Sequence, residues 1–225
     1  MNVKLISYSK PYENLEGVED AKDLIAYCAR VSNPSNQTNK RTAEKLLRYL
    51  IKEKHWSPFE MVSACLEIET TRDIARQILR HRSFSFQEFS QRYADPTKEL
   101  EFIVREARLQ DDKNRQNSID IEEDPSVQLD LKKQELITDW QRRQHGVINQ
   151  AREVYEWAIK NGIAKEQARA VLPEGLTLSR IYMNGTLRSW IHFIELRSGN
   201  GTQKEHRQIA IECAKVIAEI FPNIR

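Results

Sequence analysis

Residues 80 to 93 read Arg-His-Arg-Ser-Phe-Ser-Phe-Gln-Glu-Phe-Ser-Gln-Arg-Tyr. The first three set two guanidiniums around an imidazole where a helical pattern ends. Cations there can cap a helix, because its last carbonyls carry partial negative charge. The next eleven residues offer more than capping. Phe84, Phe86, Glu88, Ser90 and Arg92 share one parity, so an extended segment would project Glu88, Ser90 and Arg92 from one face. A carboxylate, a hydroxyl and a guanidinium side by side can hold a sugar hydroxyl and a phosphate. On a solvated edge strand the same residues amount to a weak Glu–Arg pair. A second constellation lies on the helical pattern from Thr186 to Arg197. Arg188, His192 and Glu195 fall on its polar face at i, i+4 and i+7, and Leu187, Trp190, Ile191 and Ile194 on its apolar one. Arg188 and His192 pair as a cationic surface suited to phosphates or ring carbonyls. Thr186 reads as the N-cap, and Arg197 closes the helix before a glycine loop, where it can also cap.

The rest of the chain must position these groups. Alternation marks strands at Val3–Tyr8, Val62–Thr70 and Leu176–Met183. Helical spacing marks Val18–Val31, Thr42–Lys54, Arg72–His81, Leu136–Ile159, Ala164–Leu172 and Gln203–Phe221. Asn33–Asn36 is a turn, Trp56-Ser57-Pro58 stops the second helix, Asn161-Gly162 caps the long one, and Pro173 ends the short one. The stretch 105–133, rich in charge and containing Pro125, reads as an exposed insertion or long loop leading into a helix. Helices mixed with a few non-sequential strands give an α+β class, with helices around a small, largely antiparallel sheet.

A chain of 225 residues suits one domain spanning 1–225 and buries a sizeable core without a metal or disulfide staple. A formal charge of +2 argues against a polybasic nucleic-acid coat. No apolar run is long enough to span a membrane, and the N-terminus lacks a signal-peptide layout. Cys28, Cys65 and Cys213 form neither a disulfide framework nor a zinc spacing and read as packing residues. A reducing cytoplasm is the default compartment. There is no G-x-G-x-x-G setting and no Walker lysine, so a dinucleotide fold or a nucleoside triphosphatase is disfavoured.

The Arg-His-Arg, seven residues, then Ser pattern (Arg80-His81-Arg82 through Ser90) resembles the signature of the flavin-dependent thymidylate synthases. Arg92-Tyr93 fits it as well. His55-Trp56-Ser57-Pro58-Phe59-Glu60, Ala168-Arg169-Ala170-Val171-Leu172-Pro173 and Leu187–Arg197 resemble three further segments of that family. The matching blocks run from about Val18 to Phe221, which makes chance a poor explanation. The resemblance implies reductive methylation of dUMP to dTMP. Methylenetetrahydrofolate gives the carbon, FAD reduced by NADPH gives the hydride, and tetrahydrofolate is released. It implies FAD contacts from Ser57, Arg80, His81, Arg82, Glu88, Thr186, Arg188 and His192. It implies dUMP contacts from Gln77, Arg80, Glu88, Phe89, Ser90, Gln91, Arg92, Arg169 and Arg197, with Arg197 polarising or ionising the uracil. His55 and Tyr93 fall to the folate or nicotinamide side. No metal and no cysteine nucleophile are implied, and the expected assembly is a homotetramer whose sites draw on several subunits. No nucleic acid or membrane partner is expected.

Three positions depart from the family pattern. Thr186, with Asn184 two residues earlier, stands where an asparagine is common, and the sequence leaves open which of them fills its role. His192 stands where Asn is frequent. Gln91 replaces a frequent Gly, which matters little if the contact is made by its backbone N–H. Two other readings compete. One is a nucleic-acid-binding module using the row Arg72, Arg76, Arg80 with Phe84, Phe86 and Phe89 for base stacking. The other is a structural oligomer in which every motif is a cap or an ion pair.

Overall fold

The computed structural model describes residues 2–123, 127 and 130–221. Its elements are β1 (Asn2–Tyr8), α1 (Ala21–Ala29), α2 (Ala43–Lys52), β2 (Ser63–Thr71), α3 (Arg72–Ile78), β3 (Ser85–Glu88), α4 (Pro96–Glu99), β4 (Arg108–Gln110), β5 (Ser118–Asp120), α5 (Leu131–Lys160), α6 (Lys165–Ala168), β6 (Leu178–Thr186), α7 (Leu187–Arg197) and α8 (Lys204–Ile220). One antiparallel sheet runs in the order β1-β2-β6-β3, and β4-β5 is a separate hairpin.

The sheet is two-faced because its strands alternate. Ala64, Leu66 and Ile68 of β2 and Ile181 and Met183 of β6 are buried and share the core with residues of α1, α2, α3, α7 and α8. Register sets Leu66 opposite Met183 and Ile68 opposite Ile181. On the other face Glu67 accepts from Lys4 at 3.2 Å and from the Tyr182 hydroxyl at 2.9 Å, and Arg180 pairs with Glu69 at 2.5 Å. The apolar face therefore fixes the register, since a one-residue slip would turn these charges away from their partners and into the apolar core. The Trp190 indole N–H donates to the Ala64 carbonyl at 3.0 Å, which locks α7 onto β2. This is the expected α+β architecture.

Local signals set several ends. Thr186 Oγ1 accepts from the Ser189 N–H at 3.3 Å, so Thr186 is the N-cap of α7 as its type and place suggest. Gly162, at φ 79°, lets the Ile163 N–H close on the Ala158 carbonyl after α5. Elsewhere the structure departs from the sequence reading. The α5 helix begins at Leu131, because Asp130 caps it by accepting from the Lys133 N–H at 2.9 Å. The 164–172 helix is a single α turn followed by a 3-10 turn, Arg169–Val171.

The largest departure lies in 105–133. It is not simply an exposed loop: it carries the β4–β5 hairpin and buries Ile121. Five of its charged residues are paired with the start of α8. Arg105 and Arg108 both reach Glu205, and Lys204 reaches Glu106, Asp120 and Glu123. Among the described residues no helix is long and apolar enough to cross a membrane, and no cluster of His, Cys, Asp and Glu could hold a metal ion.

Candidate active site

The Arg-His-Arg segment is a turn laid along α7. The His81 N–H closes on the Ile78 carbonyl at 3.0 Å and the Phe84 N–H on the His81 carbonyl at 3.3 Å. Phe84 anchors the turn. Its buried ring packs edge-on to Trp190 at 4.8 Å and faces Gly185, where a Cβ would stand 2.4 Å from Phe84 Cδ1. The Ser189 hydroxyl donates to the Ser83 carbonyl at 3.2 Å, and Arg197 Nε donates to His81 Nε2 at 2.9 Å. Seated this way, Arg80 and Arg82 point into solvent with no side-chain partner among the described residues.

Electrostatics follow from that seating. Burial, then Arg197 and Arg80, hold the His81 pKa below its ordinary value. The ring is neutral at pH 7, and its Nε2 lone pair accepts the hydrogen bond from the Arg197 Nε–H. Burial, then Arg80, likewise lower the Arg197 pKa, although a guanidinium stays charged. Arg197 has no carboxylate in salt-bridge reach among the described residues. A half-buried cation held by a neutral imidazole, with a second cation nearby, is a site awaiting an anion.

Gln77 lies behind this pair. Its Nε2 donates to Gln203 Oε1 at 2.8 Å, and its Oε1 lies 3.3 Å from Nδ1 of the fully buried His206. Glu205, beside His206, keeps a pKa of about 2. Burial opposes its ionisation, but Arg108 and Arg105 outweigh that effect.

A second group gathers at the start of α7. Arg188 pairs with Glu60 at 2.5 Å, and His192 stacks edge-on with Trp56 at 4.9 Å, which brings the Ser57–Glu60 turn against the helix. Ser57 is exposed at the head of that turn. Lys54, at φ 59°, lets the His55 N–H reach the Leu50 carbonyl at 2.8 Å, and His55 stands exposed beside Tyr49. Thr186 is committed to capping, whereas Asn184 is exposed on β6 with no side-chain partner among the described residues.

A third group surrounds Glu88. It accepts from the Ser179 hydroxyl at 2.9 Å and pairs with buried Arg72 at 3.4 Å. The single face of Glu88, Ser90 and Arg92 does not form. The strand ends at Glu88, and the Ser90 carbonyl accepts from the Tyr93 and Ala94 N–H groups, both at 3.1 Å, closing a turn. Phe89 still ties its N–H to the Arg180 carbonyl at 2.8 Å. Gln91 is buried, and its Nε2 has no partner among the described residues. Arg92 turns to Glu166 at 3.2 Å, and the exposed Tyr93 gives its carbonyl to Lys165 at 2.8 Å. Half-buried Arg169 has no side-chain partner among the described residues. Arg72 and Arg76 share Glu174, so the row Arg72, Arg76, Arg80 is not a free basic stripe, and Phe84 is inside the core.

The expected site residues thus fall into three neighbouring groups, without one direct contact network joining them. Free guanidiniums at Arg80, Arg82 and Arg169, the anion-deficient Arg197 and the unpaired amide of Gln91 suit ligands rich in phosphate and carbonyl oxygen, as a flavin dinucleotide and a nucleotide are. No activated thiol competes with them: burial raises the pKa of Cys28, Cys65 and Cys213. Sequence reasoning placed Arg72 only in the competing basic row and missed Ser179, Gln203, Glu205 and His206. The Gln-x-Glu-His run at the start of α8 was the one local hint.

The family profile described as “Thymidylate synthase complementing protein” matches residues 13–223. Over all 225 residues the chain is 50% identical to the “Probable flavin-dependent thymidylate synthase” of Paramecium bursaria Chlorella virus 1, covering 97% of it. It is 47% identical to the “Flavin-dependent thymidylate synthase” of Synechocystis sp., again over 225 residues and 97% of that protein. Among solved structures, the UMP/dUMP methylase PolB of Streptomyces cacaoi bound with 5-Br dUMP aligns with a TM-score of 0.72 at 25% identity, covering 99% of this chain and 92% of that one. The chain belongs to the flavin-dependent thymidylate synthase family.

Proposed function

We propose that this protein converts dUMP to dTMP by reductive methylation in the cytoplasm. 5,10-Methylenetetrahydrofolate supplies the carbon and NADPH the electrons, and tetrahydrofolate leaves unoxidised. FAD, when bound and reduced, supplies the hydride. The observation that carries this reading is Arg197, a half-buried guanidinium with a neutral imidazole as partner and no carboxylate in reach among the described residues, beside the free Arg80. Such a group binds a neutral uracil weakly and a ring gathering negative charge strongly. It therefore stabilises the activated pyrimidine more than the resting one, which is what a catalytic group must do. The three raised thiol pKa values favour activation by Arg197 over attack by an enzyme cysteine.

The other residues bind and orient. Glu88, held by Ser179 and Arg72, accepts from a ribose hydroxyl. Ser90, Arg92 and Arg169 take the nucleotide phosphate, Phe89 and Gln91 line the base through backbone and amide, and Gln77 adds its carboxamide. Arg80, Arg82 and His81, with Ser57, Glu88, Thr186 or Asn184, Arg188 and His192, hold the flavin. His55 and Tyr93 stand exposed for the folate or nicotinamide. The three groups become one site in a homotetramer whose subunits each contribute part of it, which accounts for so many expected contacts lying open on one chain.

The test is a visible spectrum of the purified protein, followed by anaerobic NADPH with and without dUMP. A flavin spectrum bleached by NADPH at a rate that responds to dUMP supports the reading. A colourless protein that takes up no added FAD refutes it.

A further inference from the structure

We propose that Gln203, Glu205 and His206 are positioning residues: a one-way chain of hydrogen bonds, starting at the Glu205 carboxylate, fixes which edge of the Gln77 carboxamide meets the nucleotide. The proposal rests on the reading of Gln77 as a dUMP contact and deepens it.

The direction of the chain comes from its first member. Glu205 is clasped by Arg105 at 3.0 Å and by Arg108, both reaching Oε1, and its Oε2 accepts from Gln203 Nε2 at 3.0 Å. A carboxylate has no proton to give, so the Gln203 amide must turn its nitrogen toward Glu205. Its oxygen then faces Gln77 and can only accept, which turns the Gln77 nitrogen toward Gln203 at 2.8 Å. The Gln77 oxygen is left toward His206 Nδ1 at 3.3 Å, and that nitrogen must carry the proton. Flipping either amide would set two donors or two acceptors face to face. Amide orientation cannot be read from shape, but here chemistry decides it.

The chain ends in a closed place. The His206 ring is fully buried, with Phe193 at 5.8 Å and His81 at 6.2 Å between centroids, and its Nε2 has no partner among the described residues. Nothing there competes for the Nδ1 proton. Gln77 keeps one N–H and one oxygen lone pair for a ligand, in a fixed order. Holding a polar edge in place before binding removes a reorganisation cost that the ligand would otherwise meet.

The test is dUMP affinity of the FAD-loaded protein, read from the flavin spectrum, in His206→Leu and His206→Asn. Asn can place an N–H where Nδ1–H stood; Leu cannot. Removing the donor in His206→Leu should weaken dUMP binding about tenfold with FAD content unchanged, and His206→Asn should recover to within about threefold. A residue that only fills space would give the reverse order, since Leu suits an apolar bed better than Asn. Wild-type affinity in His206→Leu, or Asn no better than Leu, overturns the proposal. If His206→Leu does not fold, Gln203→Met breaks the chain at the more exposed start of α8. Weakened dUMP binding there supports the chain, and unchanged binding overturns it. Selective 15N labelling of histidine reads the chain without dUMP: a proton on Nδ1 of His206 supports its direction, and one on Nε2 overturns it. A wild-type protein that holds FAD but ignores dUMP, with Nδ1 protonated, would refute the proposed function while leaving the chain's direction intact.

Discussion

Replacing Gly185 with Ala tests whether the Arg-His-Arg turn is held by the seat of Phe84. The new Cβ would lie 2.4 Å from Phe84 Cδ1 and 2.6 Å from Cε1. Ordinary carbon contacts begin near 3.5 Å, so the ring must retreat by roughly 1 Å. It has little room: Phe84 is 8% exposed, with Trp190 at 4.8 Å and Phe193 at 6.0 Å. Overpacking of this kind costs about 1–3 kcal/mol. Because Phe84 is two residues from Arg82 and three from His81, the displaced ring drags the turn with it. We expect Gly185→Ala to lose about 2 kcal/mol in urea unfolding and to bind FAD several-fold more weakly. The control is Phe84→Leu, whose shorter side chain leaves space for the methyl. In a double-mutant cycle the pair should be more stable than the sum of the single losses by about 1 kcal/mol. A Gly185→Ala protein within about 0.5 kcal/mol of wild type, or strict additivity with Phe84→Leu, would refute the reasoning.

Two further expectations come from single residues. His206 is held at a pKa of about 4 by burial, then by Arg197 and His81, against about 6.5 when unfolded. Below 6.5 the unfolded chain takes a proton that the folded one refuses, so stability falls with pH down to about 4. At roughly 1.4 kcal/mol per pH unit this histidine costs about 3 kcal/mol between pH 7 and pH 4. His206→Leu should flatten that part of the urea-midpoint profile, and an unchanged slope would contradict it. Thr186→Ala should cost about 1 kcal/mol through the lost cap of α7, while Thr186→Ser should cost a few tenths at most. Equal losses in the two, measured by urea unfolding, would remove the cap from the account.

The parts legible in the sequence are those decided locally. Alternation in β2, the Thr186 cap and the Gly162 turn each depend on neighbours within a few residues, and each stands where expected. The face of Glu88, Ser90 and Arg92 failed because a turn closes on the Ser90 carbonyl without glycine or proline to announce it. The pairing of Glu88 with Arg72, and of Gln77 with His206 across 129 residues, was out of reach because it depends on how α3 is placed beside β3 and against α8, elements that only the tertiary fold brings together. The 105–133 stretch misled for a related reason. Charges normally mean solvent, but here Arg108 finds Glu205 across 97 residues and Lys204 gathers three carboxylates, so ion pairs hold down a segment with few apolar residues of its own.

The most direct measurement is dTMP formed by the FAD-loaded protein from dUMP, methylenetetrahydrofolate and NADPH, with Arg197→Ala beside the wild type. The account expects dTMP from the wild type, and none above background from a variant that still holds its flavin. Absence of dTMP from the flavin-loaded wild type, or undiminished turnover in Arg197→Ala, would contradict it.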